Sequence, residues 1–206
     1  MKTILIILLS YLLGSVSISI ILSRAVFHSD IRSCGSGNAG ATNAARVFGW
    51  KAGFITFAGD FAKGLAAMYL GQALDGERGL ALAGMACLMG HCFPVYYRFK
   101  GGKAVSVGAA VALMIDLRVF AIVMILFAII AVTTRWVSLA SISAALALIV
   151  ITPFFSHSPW LIGLSVFGAA LLIFMHRSNI RRLLTGKEPK FTPGHPPKKT
   201  QENTRV

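Results

Sequence analysis

Carboxylates are scarce in this sequence: 206 residues include seven Asp and Glu against twenty Lys and Arg. Charged residues of both signs make up only 13%, whereas ordinary soluble domains run near a quarter. Water is therefore not the main solvent of most of the chain. Three cysteines, Cys34, Cys87 and Cys92, form no CxxC pair; an odd number excludes a disulfide framework pairing them all within one chain, and their spacing is not that of a metal site, so they read as reduced thiols. No GxSxG nucleophile elbow occurs, and none of the five histidines has Asp five positions later, so the usual serine-hydrolase and HxxxxD acyl-transfer apparatus is missing.

What the chain has in abundance is apolar sequence, 56% hydrophobic with a mean hydropathy of +0.73. A hydrocarbon core of about 30 Å takes roughly 20 helical residues. Seven apolar runs near that length are bounded by charge or helix breakers: Ile4 to Leu22, Ala52 to Leu70, Leu80 to Tyr97, Ala104 to Ile115, Val119 to Thr133, Val137 to Thr152 and Pro159 to Met175. The expected fold is an all-α polytopic bundle of about seven transmembrane helices over residues 1–191, followed by a disordered basic tail over 192–206 with its prolines and lysines. The fourth run is short and joined tightly to the fifth at Asp116-Leu117-Arg118, so five spans with re-entrant pieces is the competing count. Lys2, a short apolar stretch and Ser15-Val16-Ser17 resemble a cleaved secretory leader, but continuation into further spans favours a retained first helix.

The formal net charge of +13 is not that of a nucleic-acid binder, because the basic residues sit between apolar runs instead of covering a soluble face. With seven spans and the N-terminus outside, sixteen of the twenty Lys and Arg fall in inside loops and the tail, which is the expected bias for a cytoplasmic C-terminus. Every polar, glycine-rich stretch then lies on that same side.

The longest of these, Gly35-Ser36-Gly37-Asn38-Ala39-Gly40-Ala41-Thr42-Asn43 followed by Arg46, contains GxGxxG letters without a preceding strand or a βαβ unit, which argues against a dinucleotide fold. What remains is the physics of an anion cradle. Glycines let N–H groups converge, Ser36, Asn38, Thr42 and Asn43 add short donors, and Arg46 can bind phosphate bidentately. An ordinary turn is the bland alternative. Lys100-Gly101-Gly102-Lys103 directly precedes the fourth run, where a helix N-terminus would present free N–H groups; position 97 is Tyr and 104 is Ala, so it is not a Walker loop. A third cluster closes the last span, with His176 and Asn179 on one helical face. On the cytoplasmic side only Asp30, Glu188 and Glu202 are acidic, too few for a metal-dependent phosphoalcohol transferase, so no metal is expected.

Taken in order, Tyr11-Leu12-Leu13-Gly14-Ser15, Ser36-Gly37-Asn38, Gly40-Ala41-Thr42-Asn43, Asp60-Phe61-Ala62-Lys63-Gly64, Gly90-His91 with Pro94, Lys100-Gly101-Gly102-Lys103, Ser138-Leu139-Ala140-Ser141, and His176 and Asn179 with Gly186 and Glu188 resemble the acyl-phosphate:glycerol-3-phosphate acyltransferase family of bacterial membranes. The resemblance covers most of the chain. It implies seven spans in the inner membrane, a cytoplasmic site, no metal or cofactor, and acyl phosphate and glycerol 3-phosphate as substrates, with 1-acyl-glycerol 3-phosphate and inorganic phosphate as products. It also implies that Ser36, Arg46, Lys103, Ser141, His176 and Asn179 line the glycerol-phosphate pocket, with catalysis resting on His176, Asn179, Lys103 and Arg46. By the same resemblance Gly101 and Gly102 are expected to help hold the donor phosphate, to which Gly37, Asn38, Thr42 and Asn43 are added. The proton acceptor is either His176 or a substrate phosphate, with the family favouring the phosphate. Ala39 stands where many relatives have Pro, and Ala104 where Gly is usual; a helical N-terminus at 104 is expected to tolerate Ala. Asp60 and Lys63 are expected to pair within the membrane, and His91 to satisfy a nearby carbonyl. A phosphate or organic-anion transporter is the alternative from another class, disfavoured by the absence of repeats and of a mirrored pair of loops.

Overall fold

Residues 1–194 are described by the computed structural model, in which regular structure is helical throughout. The basic tail expected over 192–206 lies outside the described residues from position 195 onward. Among the described residues nine α-helices run in order: α1 Lys2–Ser15, α2 Ile18–Phe27, α3 Ala41–Phe48, α4 Trp50–Cys92, α5 Val105–Ile115, α6 Leu117–Thr134, α7 Val137–Phe155, α8 Pro159–Met175 and α9 Arg177–Leu184, with 3-10 turns at Ile31–Ser33 and Val95–Tyr97.

The 43 residues of α4 are two helices, not one. Asp60 Oδ1 lies 3.7 Å from His91 Nδ1, whereas 31 residues of straight helix would separate them by about 46 Å. The chain reverses at Asp75 and Gly76, whose φ/ψ of −150/30° and 57/−146° are not helical. The arms 50–74 and 77–92 then pack so closely that a Cβ on Gly71 would sit 2.2 Å from the Gly79 carbonyl oxygen. This hairpin accounts for the two runs expected at Ala52 to Leu70 and Leu80 to Tyr97. The second arm stops at Cys92 because Pro94 follows and lacks the N–H to continue.

The first run departs from expectation. Ile4 to Leu22 is interrupted at Val16 and Ser17, which are extended (ψ 118° and 106°). The Val16 carbonyl, released from the helical ladder, accepts from Lys63 Nζ at 2.5 Å. Elsewhere the boundaries follow local chemistry. Asp116 caps α6 by accepting from the Arg118 N–H at 2.7 Å, which is how α5 and α6 join without a loop. By length and apolarity four stretches among the described residues could cross a bilayer, Lys2–Phe27, the folded-back Trp50–Tyr97, α6 and α7; α8 with α9, bent by 60°, makes a fifth. Helix α5, with 11 residues, is about 16 Å long.

The loops segregate to two ends. At one, Arg78 reaches Thr3 at 3.5 Å and lies over Trp160, and Arg118 lies over Phe155. At the other, the segment from α2 to α3, the 93–104 loop, the α6–α7 turn and the chain after α8 come together. The core between them is built from small and aliphatic side chains of α4, α5 and α8, among them Met68, Leu88, Val107, Val111 and Leu164.

Candidate functional site

The loop before α3 is wrapped around one buried amide. Asn43 Nδ2 donates to the carbonyls of Ile31, Cys34 and Asn38 at 3.0–3.2 Å, while its Oδ1 accepts from the Ser36 N–H at 2.9 Å. These bonds hold Asn38, Thr42 and Arg46 along the cavity wall and leave Asn43 itself engaged with the loop. Asp30 closes the other side by gripping Arg24 and Arg32, whose guanidinium groups hold its carboxyl well below the usual range.

The second loop also differs in detail from expectation. The N–H groups of Gly101 and Gly102 donate to the carbonyls of Cys92 and His91 at 3.2 and 3.0 Å, so they are occupied by backbone. A Cβ on Gly102 would meet His91 Nε2 at 2.1 Å; glycine here permits close approach of the loop to the second arm of α4. Ala104 is not at an ordinary helical N-terminus. It is a fully buried N-cap at φ 65°, ψ 8°, the left-handed region that costs a residue with a Cβ roughly 1–2 kcal/mol. After it, the first-turn N–H groups of α5 have no intrahelical acceptor and carry the positive end of the helix dipole into the site.

The third contribution comes from the bend between α8 and α9. His176 is 4% exposed, and its Nδ1 pairs with the Leu172 carbonyl at 2.9 Å. Burial brings its pKa down to about 4, so the ring is neutral at pH 7, donates from Nδ1 and keeps Nε2 as an acceptor. Asn179 accepts from Lys103 Nζ at 2.5 Å and donates to Glu188 Oε1 at 2.6 Å. Ser138 donates to the same oxygen at 2.6 Å, and Arg182 Nε to Oε2 at 2.7 Å. Burial favours the neutral acid at Glu188, but donation by Ser138, Asn179 and Arg182 outweighs it and holds the carboxyl below its ordinary range. Lys103 is brought down to about 8 by burial, then by the nearby Arg182. Arg46 is likewise lowered by burial, yet a guanidinium stays charged. Three cations, Arg46, Lys103 and Arg182, thus surround one carboxylate, an excess of positive charge suited to an anion.

Arg46, Lys103, Ser138, His176, Asn179, Arg182 and Glu188 face one cavity of about 220 Å³. Of the residues expected from sequence, Ser36, Asn38, Thr42, Asn43, Arg46, Lys103, Ser141, His176 and Asn179 line it; Gly37, Gly101 and Gly102 do not. Ser141 donates to the Val137 carbonyl at 2.8 Å. Sequence reasoning gave no site role to Ser138, Arg182 or Glu188, although Ser138 and Glu188 were part of the motif pattern. Away from the polar mouth the cavity continues as a groove between α5, α6, α7 and α8, walled by Val111, Val123, Phe127, Leu148 and Leu172. Among the described residues no group of three His, Cys, Asp or Glu side chains gathers closely enough to hold a metal ion.

A helical, multi-pass membrane protein with a cavity that is cationic at its mouth and apolar below is the class that this fold and site define. The glycerol-3-phosphate acyltransferase family model matches residues 4–186, and the chain belongs to that family. Curated glycerol-3-phosphate acyltransferases from Finegoldia magna and Macrococcus caseolyticus are 41% and 40% identical to it over 182 and 191 residues. Those alignments cover 88% and 93% of this chain, and 92% and 98% of the relatives. The crystal structure of PlsY, an integral membrane glycerol 3-phosphate acyltransferase, in its glycerol 3-phosphate form superposes with a TM-score of 0.88 at 32% identity, covering 93% of this chain and 96% of that one. Its lysophosphatidic acid form gives 0.85 at 31% identity with the same coverage.

Proposed function

We propose that this protein transfers a fatty acyl group from acyl phosphate to glycerol 3-phosphate, giving 1-acyl-glycerol 3-phosphate and inorganic phosphate for phospholipid biosynthesis. The observation that carries the reading is the two-part cavity: a product with one phosphate and one hydrocarbon chain needs a cationic mouth joined to an apolar groove. The solved PlsY forms with glycerol 3-phosphate and with lysophosphatidic acid support it.

Ser36, Arg46, Lys103, Ser141, His176 and Asn179 take the glycerol phosphate. The donor phosphate lies against Asn38, Thr42 and the N-terminus of α5, with Gly37, Asn43, Gly101 and Gly102 shaping the two loops. Acyl phosphate is a mixed anhydride, so positioning and charge neutralisation supply most of the catalysis. The glycerol hydroxyl oxygen forms the new bond to the acyl carbon, the bond from that carbon to the phosphate oxygen breaks, and phosphate leaves with the electron pair. The hydroxyl proton goes to a substrate phosphate. With its pKa near 4, His176 is a weaker base than a phosphate with a second pKa of about 6, and its free Nε2 serves to orient the hydroxyl.

The site faces the cytoplasm in the bacterial inner membrane, with seven crossings made by α1, the two arms of α4 and α5 to α8, the N-terminus outside and the C-terminus inside. The gathering of the Lys- and Arg-rich segments at one end supports this orientation. Incubating purified protein with acyl phosphate and labelled glycerol 3-phosphate should give labelled lysophosphatidic acid, which a transporter would not make. Lys103→Ala and Arg46→Ala should each remove about 2–3 kcal/mol of charge-assisted binding, a loss of roughly 30- to 150-fold in kcat/KM. Unchanged turnover in folded variants would refute the site.

A further inference from the structure

At the cavity wall, which His91 helps line, and behind it lies an ionic cluster that the reaction outlined above does not use. Asp60, on the first arm of α4, is fully buried; Lys63 Nζ is 2.8 Å from its Oδ1, and His91 Nδ1, on the second arm, is 3.7 Å from the same oxygen. Among the described residues Asp60 Oδ2 has no hydrogen-bond partner. His91 was expected to satisfy a carbonyl; its ring instead faces a carboxylate. Charges in this position are expensive, and a cluster serving stability alone is often matched by hydrocarbon of the same volume.

The cluster is connected at both ends. Lys63 holds the Val16 carbonyl freed by the α1–α2 break. The His91 carbonyl accepts the Gly102 N–H at 3.0 Å, the neighbouring Cys92 carbonyl accepts the Gly101 N–H, and the His91 ring lies against Gly102, at the cavity wall. The next residue is Lys103, whose Nζ reaches Asn179. A continuous path of packed and bonded groups therefore runs from α1, through both arms of α4, to the cation at the mouth of the site.

We propose that Asp60, Lys63 and His91 are positioning residues: a buried brace that fixes the Gly101-Gly102 segment against α4 and so holds Lys103 inside the cavity. None of the three need touch substrate. Lys103 within the cavity is faced by Arg46 from α3, by His176 and by Arg177 and Arg182 at α9, and by Glu188 after it. Release of the loop moves the ammonium away from the cations and toward water.

The test compares the full-length protein in detergent with His91→Phe, which keeps a ring and removes both nitrogens, His91→Gln, which restores a polar group, and the double variant Asp60→Asn/Lys63→Met. The double variant avoids stranding Lys63 without its counter-ion. The first readout is the pH dependence of Lys103 modification by an amine reagent, followed by mass spectrometry; it requires no activity and so stands whether or not the proposed reaction is correct. The Lys103 midpoint should rise by at least one unit from about 8 in His91→Phe and in the double variant, and return toward the parent value in His91→Gln. The second readout rests on the proposed function: KM for glycerol 3-phosphate should increase roughly tenfold or more, with a smaller change in kcat. If folded variants keep the parent Lys103 midpoint and KM, losing only thermal stability, the brace is structural packing and the proposal is overturned. A wild-type protein without acyltransferase activity but with the labelling shift in place would refute the reaction and leave the brace standing.

Discussion

Lys103 and Glu188 show how far single residues could be read. A lysine beside two glycines and ahead of an apolar run carries its chemistry in its type and place, so the anion-site expectation reached it directly. Glu188 follows a glycine and a lysine in a polar C-terminal stretch and has the composition of a solvated acid; only the fold reveals that Ser138, Asn179 and Arg182 converge on it. Asn43 is the converse case: a competent donor in sequence, but a group bonded to three carbonyls in the fold. The lowered pKa of Lys103 has a consequence with a definite sign. Burial disfavours its charged form in the free enzyme, so the cation is lost as pH rises through about 8, and kcat/KM for glycerol 3-phosphate should fall above that pH. A bound phosphate favours the ammonium, so the same limb should appear at higher pH in kcat alone. Lys103→Arg should move the limb out of the accessible range, and a profile flat to pH 9.5 or so in the parent would contradict the assignment.

At the scale of elements, the apolar runs were legible because span length and helix breakers are local properties. The interruption at Val16–Ser17 was not, since hydrophobicity continues through it and the group that satisfies the freed carbonyl, Lys63, lies 47 positions away. Two substitutions probe how the elements are joined. Gly76 turns the α4 hairpin at φ 57°, ψ −146°, a region open essentially to glycine alone; Gly76→Ala should cost about 1–3 kcal/mol, seen as a lowered thermal midpoint in detergent. Ala104, in contrast, sits at φ 65° with a Cβ it would do better without. Ala104→Gly should raise stability by about 0.5–1 kcal/mol after glycine's larger unfolded-state entropy is counted, and Ala104→Val should lower it; the reverse order, measured by thermal unfolding, would show that the left-handed N-cap is wrong.

For the whole molecule, orientation can be tested without chemistry on the substrate. Ser36→Cys and Ser178→Cys, in a background lacking the three native cysteines, should react with a membrane-impermeant thiol reagent only when it is offered from the cytoplasmic face of sealed vesicles; labelling of either from the opposite face would break the proposed topology. The sequence by itself determined that the chain is helical and membrane-embedded, and it narrowed the candidate anion-binding groups to three loop regions, because hydropathy, charge bias and donor density are properties of contiguous residues. The tertiary structure decided that those regions meet at one cavity, that four helices open an apolar groove beneath it, and which of the candidate groups are free to face a ligand. Each of these depends on packing and hydrogen bonds between segments far apart in the chain, whose partners no local pattern can specify.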